Sequence, residues 1–137
     1  MNQISRSVLD TDTLSLIMRQ NPTVLAKAQI YLQTYQKFTF SIITRYEILR
    51  GLKAKGANAQ LKAFEAFCKV NEILPMTDEI IFKASDIYAE LYQKGNLISD
   101  ADILIASTAF VEDCILITNN ERHFSRIKNL QVENWLK

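Results

Sequence analysis

Seven Asp and eight Glu are spread along this 137-residue chain, and a few of them stand where chemistry is possible. Asp10 closes the run Ser7-Val8-Leu9, and Asp12 follows two residues later. Glu47 lies in Thr44-Arg45-Tyr46-Glu47-Ile48-Leu49-Arg50, and Asp100 and Asp102 lie in Ser99-Asp100-Ala101-Asp102-Ile103. An acid ending a buried apolar strand is costly to desolvate, and from that position Asp10 caps nothing obvious. Two carboxylates about 5 Å apart repel by roughly 3 kcal/mol at an effective dielectric of ~20. Three or four together cost about 10 kcal/mol, comparable with the whole stability of a domain. Such a cluster persists only if protons or a cation neutralise it. All-oxygen ligands select hard cations, magnesium or manganese. Acid-held magnesium meeting a phosphodiester is the chemistry of nucleases. Each acid also has a local explanation. Ser99 with Asp102 fits a helix cap with an acid at its third position, Thr44 with Glu47 matches a capping box, and Asp12 fits the cap of a helix beginning at Thr13.

Whether the acids converge depends on the elements that carry them. Short apolar runs at Ile4–Asp10, Phe38–Ser41, Ile73–Pro75, Cys114–Thr118 and Gln131–Val132 read as strands. They are separated by long helical patterns, which predicts a parallel sheet. Helices are expected over Thr13–Gln20, Thr23–Gln36, Ile42–Lys55, Ala57–Lys69, Asp78–Lys94 and Asp100–Glu112, with Gly56 and Gly95 as natural stops. The expected fold class is α/β: one domain over 1–137, with four or five short parallel strands flanked by about seven helices. In such a sheet the strand ends and the starts of the following helices share one edge, where ligands bind.

Composition narrows the function classes. Hydrophobic residues are 48% and charged residues 23%, which excludes a disordered tail or a fibre. A formal charge of +1 names no partner by itself. Cys68 and Cys114 are far apart in apolar company, and they read as buried thiols in a reducing compartment. A lone His123 with no Cys-x-x-Cys pair builds no zinc site. The start, 1–7, is polar with no apolar segment after it, and no apolar stretch approaches the ~20 residues of a membrane span. A cytoplasmic protein without membrane association is expected.

Four segments in order resemble the PIN-domain ribonucleases, most closely the toxin halves of bacterial VapBC-type toxin–antitoxin pairs. They are Ser7 to Leu14, Ser41 to Gly51, Gly95 to Ala106, and Ile117-Thr118-Asn119-Asn120 with Phe124 and then Leu130 to Trp135. The resemblance spans nearly the whole chain. It implies a magnesium-dependent endoribonuclease, manganese being a possible substitute, in which Asp10, Glu47 and Asp102 are the catalytic, metal-holding acids. Asp12 stands where the family usually has Asn, and Asn120 stands where many members have a fourth acid. Asp100, Asp12 and Asn120 are therefore accessory candidates. Thr11 and Thr118 are expected to orient ligands or water, and Arg50 to pair with Glu47 or hold substrate phosphate.

Six basic residues between Arg45 and Lys69 offer a surface for a phosphate backbone, with a solvated helix face as the alternative. Arg122, His123 and Arg126 are placed at the rim of the site. The resemblance also implies an RNA substrate, a small VapB-like antitoxin and a homodimer. Tyr31, Tyr35, Phe64 and Phe67 are the dimer candidates, core packing being their other role. The antitoxin is expected to present an Arg to the acids and to lay an amphipathic segment in a groove served by Leu16, Tyr46 and Leu49. Two other readings stay open. One is a PIN module that binds RNA without cutting it. The other is a haloacid-dehalogenase-like phosphatase, suggested by Asp10-Thr11-Asp12; Glu47 is dispensable in that case alone.

Overall fold

Strands of two or three residues are too short to show a clear alternation, and the apolar centres Val8-Leu9, Phe40 and Ile115-Leu116-Ile117 belong in a sheet covered on both faces. The computed structural model, which describes residues 4–137, has that architecture. The polar start read at 1–7 begins outside the described residues. In chain order the elements are β1 (Ser7–Leu9), α1 (Thr11–Met18), α2 (Pro22–Tyr35), β2 (Thr39–Ser41), α3 (Ile42–Lys55), α4 (Asn58–Lys69), β3 (Glu72–Leu74), α5 (Asp78–Gln93), α6 (Asp100–Val111), β4 (Ile115–Ile117), α7 (Glu121–Phe124) and β5 (Val132–Glu133). All pairings are parallel, in the order β3-β2-β1-β4-β5. Strand β1 is central, with Leu9 beside Phe40 on one side and beside Ile117 on the other.

Side-chain alternation divides the core between the two sheet faces. Val8 and Leu116 pack with Ala84, Ile87 and Leu91 of α5 and with Ile103, Ala106 and Ala109 of α6. Leu9, Phe40 and Ile117 pack with Leu14 and Ile17 of α1, Val24 and Tyr31 of α2, and Phe64 of α4. Helix α3 touches both: Ile43 joins the first cluster, while Ile48, Leu49 and Leu52 join the second. Both cysteines are buried and free.

Several boundaries move for identifiable reasons. The chain leaves β1 after Leu9, and Asp10 is the N-cap of α1, accepting from the Thr13 N–H at 2.8 Å. The helix accordingly starts at Thr11 rather than Thr13, and Asp12 sits inside it rather than capping it. Pro22 opens α2 behind the Asn21 cap, where a missing N–H costs nothing. Ser41 caps α3, so Thr44 and Glu47 form no capping box. Ser99 does cap α6, accepting from the Asp102 N–H at 3.2 Å. Lys55 gives way to Gly56 at φ 65°, a left-handed turn that glycine adopts without strain. The single turn α7 is too short to leave a periodic signal, and it completes the count of seven helices.

Of the proposed dimer residues, Tyr31 and Phe64 are buried core and Tyr35 and Phe67 are half-buried against it. Tyr31 stacks on Tyr35 and Phe38. Four exposed apolar side chains lie along α5, at Ile81, Phe82, Tyr88 and Tyr92; others, such as Ile30, Tyr46 and Val70, are scattered over α2, α3 and the end of α4. No helix among the described residues is long and apolar enough to cross a membrane.

Phe40 is fully buried at the middle of the sheet. Phe40→Ala is expected to lower stability by about 3–5 kcal/mol in a denaturant titration, while Phe82→Ala on the exposed face of α5 changes it by less than about 1 kcal/mol.

Candidate active site

The sheet order reverses direction at β1: β2 and β3 extend to one side, β4 and β5 to the other. The carboxyl ends of β1 and β4 flank this switch point, where open α/β sheets bind ligands. Asp10 follows β1 and Thr118 follows β4. Asp10 is 4% exposed, and its backbone N–H donates to Ile117 O across the crevice at 2.9 Å. Its carboxyl is raised from 3.8 to about 6, chiefly by burial and to a lesser extent by the Asp12 charge. Hydrogen bonds from the Thr118 hydroxyl and from Thr13 pull the other way without cancelling the shift. A carboxylate held where water cannot reach it is short of positive charge.

Glu47 comes from the second turn of α3. Its Oε1 accepts from the Thr11 hydroxyl at 2.6 Å, and its Oε2 lies 3.5 Å from Arg50 Nη2. Buried Thr44, one turn earlier on the same face, bonds the Thr11 hydroxyl at 3.2 Å. The Thr44-x-x-Glu47 spacing that imitates a capping box thus has another use: it stacks a hydroxyl beneath the acid. Thr44 was absent from the expected site residues, and that spacing is the signal that could have found it.

Asp102 stands at the third position of α6, half-buried, with Oδ2 3.6 Å from His123 Nδ1. The same ring nitrogen is 3.1 Å from Asn120 Nδ2, and the Asn120 N–H donates to the Thr118 hydroxyl at 2.9 Å. An amide N–H donates only to a neutral Nδ1, so the Asp102 contact becomes an ion pair on protonation. A chain of shared partners therefore runs from Asp10 through Thr118, Asn120 and His123 to Asp102. Thr11, the neighbour of Asp10, continues it to Glu47.

The three expected acids thus lie at one sheet edge. They are not fused into one cluster: among the described residues no three His, Cys, Asp or Glu side chains share a metal-holding arrangement. Each acid faces its own local partner: Thr13 and Thr118 for Asp10, Thr11 and Arg50 for Glu47, His123 for Asp102. The donor set is entirely oxygen, and its innermost member is a desolvated carboxylate, so these residues fit a hard divalent cation. The accessory candidates divide. Asn120 joins the constellation. Asp12 is exposed and acts on Asp10 through space. Asp100 is turned away into a depression between α5 and α6 beside Ser85 and Tyr88. Arg45 is engaged by Glu65 at 2.8 Å, which removes it from the expected basic surface; Lys53, Lys55, Lys62 and Lys69 remain exposed.

A cleft of about 390 Å³ opens from Thr11 and Glu47 between α1, α3 and α4, passes Met18 and Leu52, and ends at Arg19 and Lys55. It lies on the elements where the groove was expected, but Leu16, Tyr46 and Leu49 do not line it. Helix α3 is rotated so that Ile48 and Leu52 face the cleft, while Tyr46 is 57% exposed.

Comparison with known proteins identifies the family and the fold. Residues 7–130 match the PIN domain family. "Ribonuclease VapC2" of Rickettsia felis is 31% identical over 131 residues, 95% of this chain and 98% of that protein. "Ribonuclease VapC1" of Methanocaldococcus jannaschii is 40% identical over 88 residues, 64% of this chain and 62% of that one. The crystal structure of VapBC2 from Rickettsia felis, bound to a DNA fragment from their promoter, superposes with a TM-score of 0.85 at 27% identity, covering 94% of this chain and 98% of that one.

The Asp10 shift carries a sign. A carboxyl raised in the folded state binds its proton more tightly there than when unfolded, so the contribution of Asp10 to stability is greatest below about pH 4 and falls as pH rises through 6. The loss at neutral pH is about 3 kcal/mol. In chelator-treated protein, Asp10→Asn, which still caps α1, is expected to raise the melting temperature at pH 7 and to flatten this part of the pH–stability curve.

Proposed function

The chain belongs to the PIN-domain family, among the VapC proteins, and on that premise we propose that it is a magnesium-dependent endoribonuclease and the toxin half of a toxin–antitoxin pair. The observation that supports this most is the gathering of Asp10, Glu47 and Asp102 at the switch-point edge through shared hydroxyl, amide and imidazole partners. The family match leaves no place for the phosphatase reading, since Glu47 is integral to the arrangement.

In this reading Asp10, Glu47 and Asp102 hold the cation, with Asn120 as a neutral accessory. Bound magnesium, or manganese in its place, supplies the positive charge that phosphodiester oxygens need during hydrolysis and the acidity that makes water a nucleophile at neutral pH. The protein's own groups do the rest. Thr11 fixes the rotamer of Glu47, and Thr44 fixes Thr11. Thr118 orients Asp10 and anchors the Asn120 backbone. His123 sits over Asp102 at the rim.

The amphipathic cleft gives the antitoxin its seat. Its apolar middle suits one face of a helix, and its ends differ in charge: Glu47 attracts a partner Arg, while Arg19 and Lys55 attract acids. A homodimer contact falls on the apolar stripe of α5 rather than on the aromatic residues first considered. The pair acts in the cytoplasm in this reading.

Asp10→Asn, Glu47→Gln and Asp102→Asn are each expected to reduce RNA cleavage at least 100-fold with circular dichroism unchanged, and EDTA to abolish cleavage until magnesium is restored. RNA binding with no magnesium-dependent cleavage would establish the silent module instead. Light scattering is expected to show a dimer that Tyr88→Asp converts to monomer.

A further inference from the structure

We propose that Tyr46, with Arg50 beside its ring, stacks a base of the RNA next to the acids. The proposal rests on the ribonuclease reading above and deepens it by naming a residue of this chain that touches a base.

Tyr46 immediately precedes Glu47 on α3, and its ring is 57% exposed. The Arg50 guanidinium lies over that ring, 5.1 Å from its centre, and the same guanidinium reaches Glu47 Oε2 at 3.5 Å. One planar cation therefore spans the aromatic ring and an acid of the site. Among the described residues, the other strongly exposed aromatic side chains, Phe82, Tyr88 and Tyr92, all lie on α5. Tyr46 is the one beside the acids.

Two properties make this pair suited to a nucleotide. Arg50 is more than half exposed, so its bond to Glu47 is weak and easily exchanged. A cation held by the acids competes with Arg50 for Glu47, and the guanidinium can turn to a phosphate, which it grips with two parallel N–H donors. Tyr46 then offers a π-face to a base. Only a base outside a duplex can present its face to a side chain. The acids themselves touch phosphate, which is the same in paired and unpaired RNA. A selection for single strands must come from a residue that touches bases, and Tyr46 is placed to do so.

The experiment measures binding by fluorescence anisotropy, with the full-length chain carrying Asp102→Asn in magnesium, against a labelled short single-stranded RNA and a duplex of the same sequence. Adding Tyr46→Ala is expected to weaken single-strand binding about tenfold, to leave duplex binding unchanged, and so to erase the preference. Tyr46→Phe keeps the ring and is expected to keep the affinity. Arg50→Ala is expected to weaken both RNAs and to lower the slope of log affinity against log salt by about one. Tyr46 is exposed, so all variants should melt alike. Equal single-strand affinity of Tyr46→Ala and its parent overturns the stacking while leaving the ribonuclease reading intact. An equal loss in Tyr46→Phe overturns it too, because the hydroxyl and not the ring would be responsible. A change of oligomeric state in Tyr46→Ala, with RNA affinity kept, moves Tyr46 to a protein interface and also overturns it. A parent that binds neither RNA fails the ribonuclease reading and the stacking with it.

Discussion

The N-terminal turn of α1 is held by a carboxylate that the fold keeps almost entirely from water. Asp10 has two duties that conflict. As a cap it satisfies the Thr13 N–H and must sit against the helix end, directly after β1. As a buried charge it is raised to about 6 and destabilises the folded state at neutral pH until something positive approaches. The surroundings are built around that tension. Thr118 and Thr13 contribute hydroxyls, β4 brings Thr118 to the adjacent strand end, and the helix terminus supplies a partial positive field. None of these carries a full charge, so the demand for a cation is relieved in part and never met by the protein.

The other two acids follow a different logic. Glu47 and Asp102 reach the same edge from helices, and each leans on a weak, reversible partner: Arg50 at 3.5 Å and His123 at 3.6 Å. Long contacts of this kind hold a carboxylate in place without committing it. The most rigid support is uncharged, the pair of threonines beneath Glu47, which sets the side chain's direction without competing for its charge. Neutral hydroxyls orient Glu47 and Asp10, while exposed Arg50 and half-exposed His123 stand at longer range beside Glu47 and Asp102, and this division leaves the acids available.

Much of this was legible in the residues. The parallel sheet followed from short apolar runs between helices. Asp10 stood out as an acid closing such a run with nothing to cap, and the structure corrects that reason: it caps α1. The errors came from places where a local pattern has two physical meanings. Thr44-x-x-Glu47 looks like a helix start, yet Ser41 had already capped the helix, and the same spacing places two side chains on one face. Tyr31 and Phe64 looked too many for a small core because a core split between two sheet faces holds more aromatic residues than one layer. The lining of the cleft was missed because α3 is apolar on two sides, and only packing decides which side meets α1. His123 was placed at the rim by its position after Asn119-Asn120, but its contact with Asp102 was not legible. Its place depends on α7, one turn long, and on a loop that periodicity does not describe.

The strand pairing has a consequence for synthesis. The first strand finds one neighbour, β2, early, but its other neighbour is β4, close to the end of the chain, and Thr118 and Asn120 lie beyond that strand. Contacts so distant in sequence form late. While the ribosome is still extending the chain, Asp10 can cap its helix and Glu47 can meet Thr11, but the wall that completes the crevice has not yet left the exit tunnel. A nascent chain of this protein lacks that wall, whatever its helical content, until β4 and the residues after it have emerged. The topology places a delay, set by translation, between the first residues and a finished crevice.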